Sequence, residues 1–225
     1  MIQIINDDCL SYINSPDFQS IIDNYKVCIV TDPPFNIGYH YRSYKDNMKS
    51  ADYYEMLKAV FTTYNIPFVV IHYPEVLHMI SYVVGRMPDR VVSWVYNSNT
   101  PRQHRDIAFY GVTPDFKKVR QPYKNPNDKR IKKLIAKGHT GAKLYDWWNV
   151  NQVKNVSKTS INHPCVMPLE VMKNIVGILP NDYLIFDPFA GSGTTALACK
   201  EYNRHFIGCE IDKSYCELIE QRLGA

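Results

Sequence analysis

Tyr183-Leu184-Ile185-Phe186-Asp187-Pro188-Phe189-Ala190-Gly191-Ser192-Gly193-Thr194-Thr195 runs from an apolar segment straight into a glycine-rich turn. A helix-like stretch, Ala196 to Tyr202, follows, and then an apolar strand-like run from His205 to Cys209 that stops at Glu210. Strand, glycine turn, helix, second strand and terminal acid are the parts of a nucleoside-binding β-α-β unit. The glycines let backbone approach a ligand closely, the helix N-terminus supplies N–H donors, and the acid accepts both ribose hydroxyls. Glu210 lies 17 residues beyond Gly193, at a strand end, which suits that last role. The turn is not GxGxxG and no P-loop lysine follows it. A dinucleotide or nucleoside triphosphate is therefore disfavoured against a nucleoside such as S-adenosylmethionine.

A second strand-end turn lies far upstream. The apolar run Val27-Cys28-Ile29-Val30-Thr31 ends at Asp32-Pro33-Pro34-Phe35. Proline cannot donate to a sheet ladder, so the double proline reads as a stiff turn closing a buried strand. Open α/β folds place ligand chemistry at such ends. One carboxylate and two carbonyls form an acceptor cluster there, with the flat face of Phe35 beside it. That cluster suits a planar group carrying amino hydrogens, although an isolated Asp-Pro-Pro is equally a capping loop.

Between and around these turns the pattern alternates. Met1 to Ile5 is a short apolar run, and an amphipathic helix is expected over Ser11 to Tyr25. Asn36 to Asn47 has neither period and holds Tyr39, His40, Tyr41, Arg42 and Tyr44, a composition suited to a loop that closes over a ligand and equally to a packed surface loop. Ser50 is placed to cap a helix from Ala51 to Tyr64. Phe68 to His72, Arg90 to Tyr96 and Asp106 to Gly111 read as strands, and Glu75 to Arg86 as a helix started by Pro74. From Val112 to Ile161 the period weakens and only Asp128 to Lys137 reads as a helix, closed by Gly138. Alternation returns with Pro168 and a helix over Leu169 to Leu179. Strand alternating with helix predicts an α/β fold with a mostly parallel sheet covered on both faces.

The 225 residues suit one domain with a small insert. The six cysteines show no CxxC pair and no metal-ligand spacing, so reduced packing residues and no bound metal are expected. No membrane span or signal peptide is recognisable, and the expectation is a soluble, unprocessed, cytoplasmic chain. Between Thr113 and Ser160 twelve Lys/Arg face three Asp, within a chain of net charge only +4. With Tyr123, Tyr145, Trp147 and Trp148 interleaved, this basic stretch reads as a phosphate-binding surface with stacking groups. A solvated face is the plainer alternative, and adjacent tryptophans also serve to anchor an irregular segment to a core.

The two turns together resemble the catalytic and cofactor motifs of the S-adenosylmethionine-dependent amino-group DNA methyltransferases. Their order, catalytic motif first and glycine motif near the end, resembles the permuted β-class of that family. Asp8-Cys9-Leu10 looks like the family's segment that contacts the cofactor's adenine. His163-Pro164-Cys165-Val166-Met167-Pro168 is similar to its His-Pro-x-x-x-Pro segment, and Gly208-Cys209-Glu210-Ile211-Asp212 to its ribose-binding strand end. The motif usually ends in Tyr where this chain has Phe35, and Val166-Met167 replaces a common Gln-Lys.

The resemblance implies a Rossmann-like methyltransferase sheet of about seven mostly parallel strands with helices on both faces, plus the small basic insert. Residues 1–111 would be the catalytic half of a single catalytic domain, 112–161 the target-recognition insert and 162–225 the cofactor-binding half. Asp32, Pro33, Pro34 and Phe35 would be catalytic. Asp8, Cys9, His163, Cys165, Asp187, Phe189, Ala190, Gly191, Ser192, Gly193, Thr194 and Glu210 would bind S-adenosylmethionine. Lys117, Lys118, Arg120, Lys124, Arg130, Lys132 and Lys133 would meet DNA, mostly at phosphates. The implied reaction is methylation of adenine N6 in DNA, because an Asp-led motif is commoner among adenine enzymes of the family. Cytosine N4, RNA, or a binding module that has lost activity are the alternatives. Double-stranded DNA is the expected partner, with single strands compatible. Relatives are often homodimers and some have a cognate restriction enzyme, but no stripe in this sequence marks an interface.

Overall fold

A computed structural model describes residues 1–39, 41, 43–153 and 166–224. In chain order its elements are β1 (Ile2–Ile5), α1 (Cys9–Ile13), α2 (Pro16–Asn24), β2 (Lys26–Thr31), α3 (Ser50–Thr62), β3 (Phe68–His72), α4 (Pro74–Val84), β4 (Arg90–Val95), β5 (His104–Tyr110), β6 (Arg120–Gln121), α5 (Lys129–Ala136), β7 (Ala142–Lys143), β8 (Trp147–Asn149), α6 (Leu169–Ile178), β9 (Tyr183–Asp187), α7 (Thr194–Glu201), β10 (Phe206–Cys209) and α8 (Lys213–Gly224). Eight strands form one sheet in the order β1-β10-β9-β2-β3-β5-β4-β8, and β6 and β7 pair separately.

Strands β1, β10, β9, β2 and β3 run parallel, whereas β5 is antiparallel to both β3 and β4. The parallel strands are apolar on both faces, as a doubly covered sheet requires. Successive side chains alternate between two cores. Cys28, Val30, Val69 and Ile71 pack with Val171 and Ile175 of α6 and Ala196 and Ala198 of α7. Val27, Ile29, Phe68 and Val70 pack with Tyr53 and Leu57 of α3 and Leu77 and Ile80 of α4. From the central pair β9 and β2 the chain proceeds outward in opposite directions, to β10 on one side and β3 on the other. That reversal opens a crevice beyond their carboxyl ends, the usual ligand site of such sheets.

Three elements depart from the sequence expectations. The helix expected over Ser11 to Tyr25 is two helices, because Pro16 cannot continue α1; Ser15 instead caps α2, its hydroxyl accepting from the Phe18 amide. Ser50 is the first residue of α3, and Lys49 before it makes no side-chain cap bond. Trp147–Asn149 adds an eighth strand, parallel to β4, at the sheet edge. The basic stretch is thus tied to the main body: Val112, Leu144, Trp148 and Val150 are buried in the core on the α6 face. No helix among the described residues is long and apolar enough to cross a membrane.

Candidate active site

The two strand-end turns meet across the crevice. A cavity of about 270 Å³ is lined by Asp32, Pro33, Pro34 and Phe35 after β2 and by Asp187, Phe189, Ala190, Gly191, Ser192 and Thr194 after β9. Asp8 and Cys9, at the start of α1, and Glu210, just past β10, complete its wall. A buried polar clamp holds the turns in register. One oxygen of Asp187 accepts from the Thr31 hydroxyl (2.8 Å) and the Phe189 amide (3.1 Å), and the other from the Thr195 hydroxyl (2.6 Å). Burial pushes this carboxyl up to about 6 even so. Asp187 therefore organises the turn, with both oxygens engaged by protein donors.

The glycine turn closes on Glu210. Gly191 donates its amide to Glu210 Oε2 at 2.9 Å, and the Asp212 amide donates to Oε1 at 2.8 Å. Each oxygen keeps a further acceptor position for a hydroxyl donor, since a carboxylate offers about four. Burial pushes Glu210 up to about 7. Gly193 is outside the cavity wall: its φ is +76°, and a Cβ there would stand 2.6 Å from the Ile219 side chain of α8. Its glycine serves the turn and the packing of α8. Asp8 Oδ1 caps α1, accepting from the Leu10 and Ser11 amides at 3.0 Å each. His163 and Cys165 lie outside the described residues; Val166, Met167 and Pro168, which follow, line the cavity.

Around Asp32 the structure gathers residues that the sequence pattern did not single out. Arg105, on β5, places Nη1 3.8 Å from Asp32 Oδ2. Asp32 Oδ1 is buried and accepts no hydrogen bond among the described residues. Burial raises the Asp32 carboxyl to about 7, with Asp187 adding to the rise and Arg105 opposing it. Phe35 stacks on His72 (centroids 4.2 Å apart, planes at 25°), and Arg105 Cζ lies 4.5 Å from the Phe35 centroid. His72 Nδ1 accepts the Tyr73 amide at 2.8 Å, so the ring proton sits on Nε2, which donates to Tyr53 Oη at 2.9 Å. Tyr53 in turn donates to the Pro34 carbonyl at 2.7 Å. Burial, helped by Arg105 and Arg102, lowers His72 to about 3 and keeps it neutral.

The loop after Phe35 is also built, not loose. The buried carboxylate of Asp46 accepts the amides of Asn36, Ile37 and Tyr39, and Asn36 takes a left-handed φ of 55°. Ser43 then donates to Asp212 Oδ2 at 2.7 Å, bringing the loop over to the far side of the cavity. Tyr39, Tyr41 and Tyr44 line it, in keeping with a loop over a ligand.

A family model described as DNA methylase, of the N6/N4 type, matches residues 75–221. The chain belongs to this DNA methylase family. The matched span takes in the glycine turn and Glu210 and leaves Asp32 outside. Type II methyltransferase M.HpaI of Haemophilus parainfluenzae is 27% identical over 88% of the chain and 68% of its own length. M.BglII of Bacillus subtilis is 30% identical over 63% of the chain, which spans 43% of that relative. In fold, the methylase resembles M1.HpyAVI, solved in complex with SAM, at a TM-score of 0.66 and 23% identity over the whole of both chains. It also resembles the cytosine-N4-specific PvuII DNA methyltransferase, at a TM-score of 0.64 and 17% identity over 97% of this chain and 85% of that one.

The methylase exposes all seven basic residues expected to meet DNA. Arg130, Lys132 and Lys133 project from α5, which has no buried residue. Lys118 differs from the rest: its ammonium donates to the Leu179 carbonyl (2.9 Å) and Asn181 Oδ1 (3.1 Å), tying the stretch to the end of α6. The tryptophan pair divides. Trp148 is buried, its Nε1 donating to the Tyr145 carbonyl, while Trp147 is half exposed with Lys124 Nζ 5.4 Å from its ring.

Proposed function

We propose that this methylase transfers a methyl group from S-adenosylmethionine to the N6 amino group of adenine in DNA. The observation that carries the reading is Asp32 Oδ1, a buried acceptor without a donor among the described residues, beside an aromatic ring at the end of β2. An exocyclic amino nitrogen is a poor nucleophile while its lone pair is delocalised into the ring. Asp32 accepts one amino hydrogen and the Pro33 carbonyl the other; the Pro34 carbonyl is already held by Tyr53. These bonds would localise the lone pair, and the carboxylate would stabilise the positive charge that grows on nitrogen as the methyl leaves the donor's sulfur, whose carbon–sulfur bond breaks to give a neutral thioether; Asp32 would then receive the proton that the methylated nitrogen gives up. Phe35 provides the surface against which a base swung out of the duplex is held.

The residues on the glycine side fit the methyl donor. Glu210 retains acceptor positions for two ribose hydroxyls, Asp8 faces the same cavity for the adenine amino group, and Phe189 and Gly191 form its wall. When bound, S-adenosylmethionine supplies an electrophilic methyl on a sulfonium, so no cysteine nucleophile is required. An acidic lining of Asp8, Asp32, Glu210 and Asp212 suits a cationic ligand. The exposed lysines and arginines of the 112–161 stretch meet phosphates and set the salt dependence of DNA binding.

The test is incubation with labelled S-adenosylmethionine and mixed-sequence DNA, followed by digestion to nucleosides. Label is expected in N6-methyladenine. Label in N4-methylcytosine would overturn the choice of base, and cofactor binding without transfer would overturn the enzyme reading.

A further inference from the structure

A buried guanidinium is an unexpected neighbour for this chemistry. Methyl transfer starts from a cationic sulfonium and puts positive charge on the amino nitrogen beside Asp32. A fixed cation 3.8 Å from the same carboxylate opposes both. Yet Arg105 is no stray surface charge. Its side chain is 9% exposed, and it lies over the rings of Phe35 at 4.5 Å, Trp94 at 5.4 Å and Tyr73 at 5.8 Å. Its charge also opposes the rise that burial imposes on the Tyr96 phenol.

The geometry resolves the conflict if the guanidinium is compared with the group expected there. It is planar, carries N–H donors, faces Asp32 with one of them and lies over the Phe35 ring. An adenine or cytosine presented by its amino group has the same four properties. We propose that Arg105 holds the target-base position in the empty enzyme, and that the incoming base displaces it from both Phe35 and Asp32. This rests on the reading of Asp32 and Phe35 given above. Its physical value is twofold. The ion pair opposes the rise that burial imposes on the Asp32 carboxyl while no base is present, and the cation over the ring keeps Phe35 covered. Once the base takes over these contacts, the opposing charge is gone from the reacting nitrogen. His72, stacked on Phe35 and bonded to Tyr53, is neutral and stays as the fixed support.

The pH dependence of the two kinetic constants separates this role from others, because kcat/KM reports the ionisation of free enzyme and kcat that of the bound complex. Four groups from four parts of the fold bear on Asp32: Arg105 on β5, Asp187 on β9, Tyr53 on α3 and Tyr96 just past β4. Only Arg105 is a cation. Arg105→Met should move the acidic limb of kcat/KM upward by on the order of one pH unit and leave the limb of kcat in place. Arg105→Lys should return the kcat/KM limb toward wild type. Transfer from labelled S-adenosylmethionine to unmethylated bacteriophage DNA supplies both profiles, and calorimetric cofactor binding establishes that each variant is folded. Two limbs shifting together would mean that Arg105 stays with Asp32 through the reaction, and limbs that both stay put would mean that the pair is inconsequential; either overturns the proposal. Wild-type protein that binds cofactor but methylates nothing would instead defeat the reading on which the proposal rests.

Discussion

Asp32 and Glu210 are carboxylates that burial has pushed up to about 7, and the proposed reaction requires both as anions. A raised pKa means that the protonated form prevails below that value. Methyl transfer with both substrates limiting should therefore fall as pH drops through 7, approaching a hundredfold loss per unit well below it, and level off above about 8. A profile flat from pH 5.5 to 8.5 would contradict the assignment. The same shifts bear on stability in the opposite sense. Folded values above the unfolded ones mean that Asp32, Asp187 and Glu210 stabilise the fold at low pH and lose that contribution as pH rises through 6 to 7. His72, lowered to about 3, works the other way, but it is one group against three. The urea midpoint of cofactor-free protein is expected to be lower at pH 8 than at pH 5.5, and a higher one would show that these carboxylates are not buried as described. For Glu210→Ala, a loss of about 2–3 kcal/mol in cofactor binding is expected by calorimetry, from two charge-assisted hydrogen bonds.

At the scale of elements, the site depends on β2 and β9 ending level, and the Thr31-Asp187-Thr195 clamp enforces this. Asp187→Ala would leave two buried hydroxyls and the Phe189 amide without their acceptor. A loss of about 2–4 kcal/mol in urea unfolding is expected, and a change within 0.5 kcal/mol would show the clamp to be dispensable. Thr31 and Thr195 carried no signal in the sequence, since their bonds join residues 156 and 8 positions from Asp187. Arg105, His72 and Tyr53 were hidden for the same reason: each sits at a strand end or on a helix face whose meaning appears only when β2, β3, β5 and α3 are side by side. A charged residue leading into the apolar run Ile107-Ala108-Phe109-Tyr110 was the one available hint of Arg105. The two glycine-side strands and the Asp32 turn were legible because local chemistry, prolines and glycines after apolar runs, decides them. The Ser15-Pro16 pair was an equally local signal for the break between α1 and α2. Strand β8, three residues long, is set by its pairing with β4 and has no period to read.

For the whole molecule, charge is divided between an acidic cavity and a basic stretch that packs into the same core through Leu144 and Trp148. Exposed Arg130, Lys132 and Lys133 of α5 are expected to contribute to DNA affinity through counterion release. Replacing the three by Gln should make the slope of log affinity against log salt shallower by about 2 to 3, with cofactor binding unchanged; an unaltered slope would remove α5 from the interface. The alternation of elements gave the mixed layers of the fold, whereas the order of the strands follows from long-range pairing and was not legible in the sequence.

In the proposed reaction the turn after β2 and the turn after β9 make one active site, with Asp32 acting on the amino group and the glycine side holding the methyl donor. Asp32→Ala tests it directly, with calorimetric cofactor titration and single-turnover methyl transfer to unmethylated DNA measured on the same preparation. Cofactor binding retained within about tenfold, with transfer reduced by a factor of about 100 or more, is the expected result. Transfer at the wild-type rate would contradict the account.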